Sequence, residues 1–323
     1  MDTKGPEVRT TVAENDAIEI KSGDIIKVVG NPDMISNNEY IAVNYPYFVR
    51  DLNVGDDILF DDGEIDLKVD SKTEDYLLCK ALNDGTLGSR KSVNVPGVRI
   101  NLPSLTERDK QNILFAIENN IDFIAHSFVR NKQDVLDIQK ILDEHNSPIK
   151  IISKIENQEG VDNIDEILEY TYGVMIARGD LGIEVAQEKI PGIQRRLIRK
   201  CVKAKKPVIV ATQMLHTMIK NPRPTRAEVT DVANAIYYRT DALMLSGETA
   251  YGKYPVEAVR TMATIAKEAE KTKMSENDIP IEISTNDLTS FLCNAAVATR
   301  MQLGTKAIIT DTYSGRTARF LAA

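Results

Sequence analysis

Two short segments concentrate charge at the ends of apolar runs. Ser153-Lys154-Ile155-Glu156-Asn157 closes the run from Ile149 to Ile152, and Ala177-Arg178-Gly179-Asp180-Leu181-Gly182 closes the run from Gly173 to Ala177. One lysine, one arginine and two carboxylates offered from adjacent strand ends are the parts needed to hold a divalent metal and a phosphorylated anion. Lys154 and Glu156 stand two apart, so on a strand they share a face. Two polar groups there are costly unless something pairs them. One reading is a mutual salt bridge; the other gives Glu156 to a metal and Lys154 to a developing negative charge. Asp180, viewed alone, reads equally well as a helix cap. Beside Glu156 it reads as the second carboxylate of a site for one or two Mg²⁺ ions that also take substrate oxygens. Gly179 and Gly182 allow a ligand to approach the backbone closely.

Other strand ends carry weaker signals. Thr212-Gln213 follows an apolar run, and Thr212 taken singly reads as a cap for the next helix. Ser246-Gly247-Glu248-Thr249 sets glycine beside hydroxyls, which suits backbone recognition of phosphate or carboxylate. His126-Ser127 ends another run; a lone histidine there is more often packed or solvated than catalytic. Lys4 and Arg9 flank the start of a β-rich block, and Arg90 and Lys91 lie at its exit near Gly88. Solvated charge is the default for these four. The alternative is an inserted domain that swings basic groups over a polyphosphate.

The elements that must position these groups fall into three blocks. From about Glu7 to Pro96 the chain alternates as strands do, in Ala17–Ile20, Asp57–Phe60 and Tyr76–Cys79, with turn signals at Asp61-Asp62-Gly63 and Asn83-Asp84-Gly85. A small β barrel or sandwich is expected. From Gly97 to about Lys271 short apolar strands (Asp122–Ser127, Lys150–Ile155, Gly173–Ala177, Pro207–Ala211, Asp241–Leu245) alternate with helical stretches. One of these opens on the capping box Thr225-Arg226-Ala227-Glu228. Strands this apolar are parallel and buried on both faces. A doubly wound sheet and a (β/α)₈ barrel both fit. The absence of Gly-x-Gly-x-x-Gly and the polar cluster at every strand end favour the barrel. Five such strands are fewer than eight, so the barrel is expected to be incomplete at its front. After a polar linker, Lys271 to about Asp287, a helix (Leu288–Leu303), a strand (Ala307–Thr310) and a helix from Gly315 read as the start of another α/β domain.

Composition excludes several classes. A net charge of −8 argues against general affinity for nucleic acid or an anionic membrane. Three scattered cysteines fit a reducing, cytoplasmic setting, and a count of three histidines argues against a histidine-rich zinc site or a serine–histidine triad. No apolar run reaches transmembrane length, and no signal sequence opens the chain.

With these motifs in view the chain resembles the pyruvate kinases. Asp2-Thr3-Lys4-Gly5-Pro6-Glu7-Val8-Arg9, Ile152–Asn157, Met175–Gly182, Ala211–Leu215, Asn221–Glu228 and Leu245–Ala250 carry the likeness, which covers nearly the whole sequence. The resemblance implies a (β/α)₈ barrel from 1–8 and 97–270, a β lid inserted at 9–96, and the start of a C-terminal α/β domain at 271–323. It implies transfer of phosphoryl from phosphoenolpyruvate to ADP in glycolysis, giving pyruvate and ATP, by a cytoplasmic homotetramer. Glu156 and Asp180 would hold Mg²⁺ (or Mn²⁺), and Lys154 would stabilise the phosphoryl group in flight. Arg178, Gly179 and Asp180 with Thr212 would receive the substrate carboxylate, and Arg9 and Lys91 would meet the nucleotide. Asp2 and Thr3 match part of a K⁺ site, and Glu7 is the form seen in potassium-dependent members. The family's N-terminal segment, with two barrel strands and an Arg-x-Asn-x-Ser loop, and most of its C-terminal domain have no counterpart, which leads to an expectation of low activity and stability. The rivals are another Mg²⁺-dependent barrel enzyme acting on enolpyruvate compounds and a non-catalytic fragment.

Overall fold

The computed structural model describes residues 1–5, 7–272 and 288–322. Pro6 and residues 273–287 of the expected linker lie outside the described residues. The chain divides into two compact units: Met1–Thr171 with Met175–Ile193, and Tyr172–Val174 with Gln194–Ala323.

The first unit contains the β block. A six-stranded sheet runs in the order β3 (Tyr40–Ala42), β2 (Ile25–Val29), β6 (Leu77–Ala81), β5 (Ile65–Lys72), β4 (Asp57–Phe60), β8 (Val93–Asn94), while β1 (Ala17–Ile20) pairs with β7 (Gly85–Gly88). Alternation decides the inward face: Ile18 and Ile20 of β1, Ile58 and Phe60 of β4, and Ile65, Leu67 and Val69 of β5 are buried, and their neighbours are more exposed. These side chains form one core with Phe48, Leu52 and Leu77. The turn joining β4 to β5 holds Asp61, Asp62 and Gly63 in the left-handed region, φ 52°, 58° and 90°. Aspartate and glycine tolerate that region better than other residues.

The α/β part of the same unit starts with β9 (Phe123–His126) and β10 (Lys150–Ile155), paired in parallel with Ser153 opposite His126. Met1 to Thr3 runs parallel beside β9: Ala125 donates its N–H to the Met1 carbonyl (2.8 Å), and Thr3 donates to the Ala125 carbonyl (2.9 Å). β11 (Gly173–Ala177) is buried throughout, as its unbroken apolar sequence requires. Its first two residues belong to the second unit and its last three to the first.

In the second unit β12 (Val208–Ala211) and β13 (Ala242–Met244) pair in parallel, and Val174 donates to the Pro207 carbonyl at 2.9 Å. Helix Arg226–Tyr237 opens on the expected capping box, with both reciprocal bonds of Thr225 and Glu228 formed. Helices Leu288–Leu303 and Arg316–Ala322 follow the sequence reading. The expected strand Ala307–Thr310 is a correction: these residues are irregular, and Ile309 is 97% exposed. No strand among the described residues takes up the ladder bonds a β segment there would need. The architecture is α/β, with an all-β block up to β8 and strand–helix alternation from β9 to β13 that is part of a (β/α)₈ barrel.

Candidate functional site

Lys154 leaves the end of β10 and meets three oxygens. Its Nζ lies 3.0 Å from Glu156 Oε1, 2.9 Å from Ser127 Oγ and 3.5 Å from Asp2 Oδ2. Shared-face geometry thus brings Lys154 and Glu156 together, as the spacing requires. Burial acts to lower the lysine pKa, but the charges of Glu156 and Asp2 outweigh it and raise the value, so Lys154 stays cationic.

Glu156 is 1% exposed. Its second oxygen accepts the Phe128 N–H at 2.7 Å. Phe128 sits at φ 56°, a conformation a bulky side chain adopts only where its surroundings impose it. Glycine decides the next step. A Cβ on Gly160 would lie 2.4 Å from the Val129 carbonyl, so only glycine lets the helix after Glu156 approach the loop after β9. Asn157 caps that helix by accepting the Gly160 N–H at 2.7 Å.

Asp180 reaches the cluster from a helix, which corrects the sequence expectation. Strand β11 ends at Ala177, and Arg178-Gly179-Asp180 forms the first turn of helix Arg178–Glu184. The Asp180 carboxyl interacts with that of Glu156, each shifting the other's proton affinity. Burial pushes Asp180 up, with Lys154 opposing. Burial, reinforced by the Asp180 charge, likewise pushes Glu156 up to about 7, against the pull of Lys154 and of the Phe128 N–H. Two neighbouring carboxyls whose proton affinity is raised make a place where a divalent cation could take the position of a proton. That donor set fits Mg²⁺ or Mn²⁺. Among the described residues no group of three or more His, Cys, Asp or Glu side chains could enclose a metal, so such an ion would also need oxygens from outside the protein.

Behind the lysine stands a second, uncharged group. Thr3 is 1% exposed; its Oγ1 accepts the Ser127 N–H at 3.0 Å and lies 3.2 Å from His126 Nδ1. Ser127 Oγ donates to the Thr3 carbonyl at 2.7 Å. His126, also 1% exposed, has its pKa pushed down to about 4 by burial, against the nearby Asp134 and Asp109 carboxylates. The Thr3 hydroxyl is therefore occupied, while its carbonyl, bonded to the Ser127 hydroxyl, keeps a second lone pair.

Arg9 and Lys91 are brought side by side at the crossing between β block and barrel. Arg9 bridges Ser92, and Thr10 donates to the Lys91 carbonyl at 2.9 Å. Both cations are partly exposed and each has a carboxylate, in place of the purely solvated state: Arg9 Nε lies 2.6 Å from Glu7 and Lys91 Nζ 2.7 Å from Asp61. Asn94 of β8 reaches Glu184 at 3.2 Å.

Thr212 belongs to the second unit, and its reading as a helix cap is overturned. It and Gln213 are both left-handed, φ 68° and 54°, the Thr212 hydroxyl donates to the Ala211 carbonyl at 2.7 Å, and a 3₁₀ turn at His216–Ile219 comes next. Glu248, 1% exposed, accepts the N–H groups of Leu215 at 3.0 Å and Ser246 at 2.9 Å, tying together the loops after β12 and β13. The structural use of Glu248, the Phe128 N–H and the Thr3 hydroxyl escaped sequence reasoning. None of the three has a local signature.

Similarity to known proteins agrees with this geometry. The family described as pyruvate kinase, barrel domain, matches residues 1–259. The chain is 49% identical over 324 residues to a pyruvate kinase of Borreliella burgdorferi, covering all of this chain and 67% of that protein. It is 50% identical over 328 residues to one of Geobacillus stearothermophilus, of which it spans 56%. A crystal structure of a pyruvate kinase from Cryptosporidium parvum superposes with a TM-score of 0.93 at 41% identity, over 99% of this chain and 68% of that one. The chain thus spans between about half and two thirds of the length of the relatives it matches.

Proposed function

We propose, because the chain belongs to the pyruvate kinase family, that its Lys154–Glu156–Asp180 cluster serves transfer of the phosphoryl group of phosphoenolpyruvate to ADP, yielding pyruvate and ATP. The observation that carries the reading is a buried Glu156 carboxyl and a half-buried Asp180 carboxyl, each with raised proton affinity, beside a half-buried lysine that remains charged. Phosphoryl transfer asks little covalent chemistry of a protein; it asks for positioning and for neutralisation of spreading negative charge. Lys154 Nζ has three donor protons, two held at 2.9 and 3.0 Å by Ser127 and Glu156. The third, 3.5 Å from Asp2, is the one able to turn toward a phosphoryl oxygen.

Glu156 and Asp180 would hold Mg²⁺ or Mn²⁺, which when bound supplies a Lewis acid for substrate oxygens. Asp2, with the Thr3 carbonyl, would contribute to K⁺. By family resemblance the backbone of Arg178–Asp180 and Thr212 would take the carboxylate, and Arg9 and Lys91 the nucleotide phosphates. In the same reading residues 9–96 form a lid hinged near Pro6 and Pro96. Its closure would keep water from the phosphoryl group and exchange the Glu7 and Asp61 partners of the two cations for phosphate. A homotetramer in the cytoplasm completes the proposal. No helix among the described residues is long and apolar enough to cross a membrane.

The test is Mn²⁺ binding followed by electron spin resonance, with and without phosphoenolpyruvate, alongside a coupled assay of ATP formation. Glu156→Gln should abolish phosphoenolpyruvate-dependent Mn²⁺ binding. Undiminished affinity in that variant would remove Glu156 from the metal site, and absence of phosphoenolpyruvate-dependent ATP formation would overturn the activity.

A further inference from the structure

A line of hydrogen bonds runs from the helix-facing side of β9 to the Lys154 ammonium, and its first member is a histidine with no evident reason to be buried. His126 is 1% exposed, and its Nε2 has no hydrogen-bond partner. A leucine or valine would fill such a place without orphaning a polar atom, so the imidazole must be retained for what its other nitrogen does.

The bond balance assigns that role. Thr3 Oγ1 accepts the Ser127 N–H and has one proton of its own to place, and the atom within reach is His126 Nδ1, 3.2 Å away. If Nδ1 carried the proton, both the Thr3 hydroxyl hydrogen and the Nε2 lone pair would go unmet. With Nδ1 as acceptor only the Nε2 N–H is orphaned, so the second tautomer is the better satisfied. Fixing the Thr3 hydroxyl this way points its lone pair at the Ser127 N–H. Ser127 Oγ then donates to the Thr3 carbonyl at 2.7 Å, which leaves its lone pairs toward Lys154 Nζ at 2.9 Å. Ser127 Oγ can make both contacts only while the Ser127 main chain, held through its N–H by Thr3 Oγ1, keeps its place beside the Thr3 carbonyl.

We propose that His126 is a positioning residue for Lys154, acting through Thr3 and Ser127: the neutral imidazole sets the Thr3 hydroxyl, Thr3 sets the Ser127 side chain, and Ser127 fixes one of the three protons of the Lys154 ammonium. The chemical use of Lys154 rests on the phosphoryl-transfer reading; its positioning does not, and the experiment separates the two. The chain is treated with limiting amine-acylating reagent, and the modification rate of each lysine is followed by mass spectrometry. His126→Leu should raise Lys154 labelling about threefold or more, the equivalent of one lost neutral hydrogen bond, while the other lysines keep their rates. His126→Asn, whose amide oxygen can accept the Thr3 proton, should restore the slow rate. Ser127→Ala should match His126→Leu, and the double variant should add nothing beyond either one, because both cut the same line. Thr3→Val breaks the line at another link and serves if His126→Leu fails to fold, folding being checked by circular dichroism. Unchanged Lys154 labelling in a folded His126→Leu or Thr3→Val chain would overturn the proposal. So would a His126→Asn variant as reactive as His126→Leu, or additive effects in the double variant.

Discussion

Glu156 in the first unit and Glu248 in the second are equally buried, each 1% exposed, yet they live in opposite surroundings. Glu248 spends one oxygen on the Leu215 N–H and the other on the Ser246 N–H, so both are bonded to donors of the loops it joins. Glu156 has one N–H, one lysine and another carboxyl against it, and its proton affinity is raised accordingly. Burial alone therefore does not mark a functional carboxylate. A carboxylate saturated by backbone donors holds the fold together, whereas one facing its own kind is held by the fold in a state that a cation would relieve.

The contrast can be broken most forcefully at the lysine. Lys154→Met should lower phosphoryl transfer on the order of 10²–10³-fold, the usual loss for a single transition-state donor, with the melting temperature nearly unchanged. A variant within tenfold of the parent in steady-state kinetics would mean the cluster is not the reaction centre. Glu248→Ala should do the reverse. It strands two buried N–H groups and should cost about 3 kcal/mol in urea unfolding, since bonds to a charged acceptor are worth more than neutral ones. A loss below about 1 kcal/mol would deny it the structural role. Thr225→Ala should cost about 1 kcal/mol by removing the capping box of helix Arg226–Tyr237, with Mn²⁺ affinity untouched.

The subtlest expected effect is Asp180→Asn. In metal-free protein it should be neutral or slightly stabilising, because it removes one of two facing carboxyls while an amide can still bond Glu156. Clear destabilisation would show that the pair is structural. The pH dependence sharpens the same point. Glu156 titrates near 7 in the folded protein against an ordinary 4.5, so the stability it contributes is complete below about pH 4.5 and is lost as pH rises through about 7. Glu228 runs the other way. Burial acts to raise its pKa, but bonds from Thr217 and Thr225 lower it overall, so its contribution is present above pH 4.5 and lost as pH falls below that. Urea midpoints measured across this range should show the first slope flattened in Asp180→Asn and the second untouched.

Much of this was legible along the chain because the signals are local. Period-two alternation placed β1, β4 and β6, unbroken apolar runs placed β10 and β11, and Thr225 to Glu228 announced a helix start. The pairing of Lys154 with Glu156 followed from spacing alone. Three readings failed where a local pattern has two outcomes. An apolar run at Ala307–Thr310 is a strand only if a neighbour completes its ladder. A hydroxyl after β12 caps a helix only if a helix follows at once. Asp180 sits on a strand only if the strand continues past Ala177.

Sequence by itself determined the α/β class, the β block, the family and the pairing of Lys154 with Glu156, because each rests on composition or on residues close together in the chain. Tertiary structure alone decided how those groups are held. Thr3 and His126 meet across 123 positions, Glu156 borrows an N–H from Phe128 in another loop, and the contact of Asp180 with Glu156 needs a helix turn packed at the end of β10. The physical reason is that hydrogen bonding and charge act over a few ångströms in space, and separation along the chain says nothing about which groups the folded backbone brings within that reach.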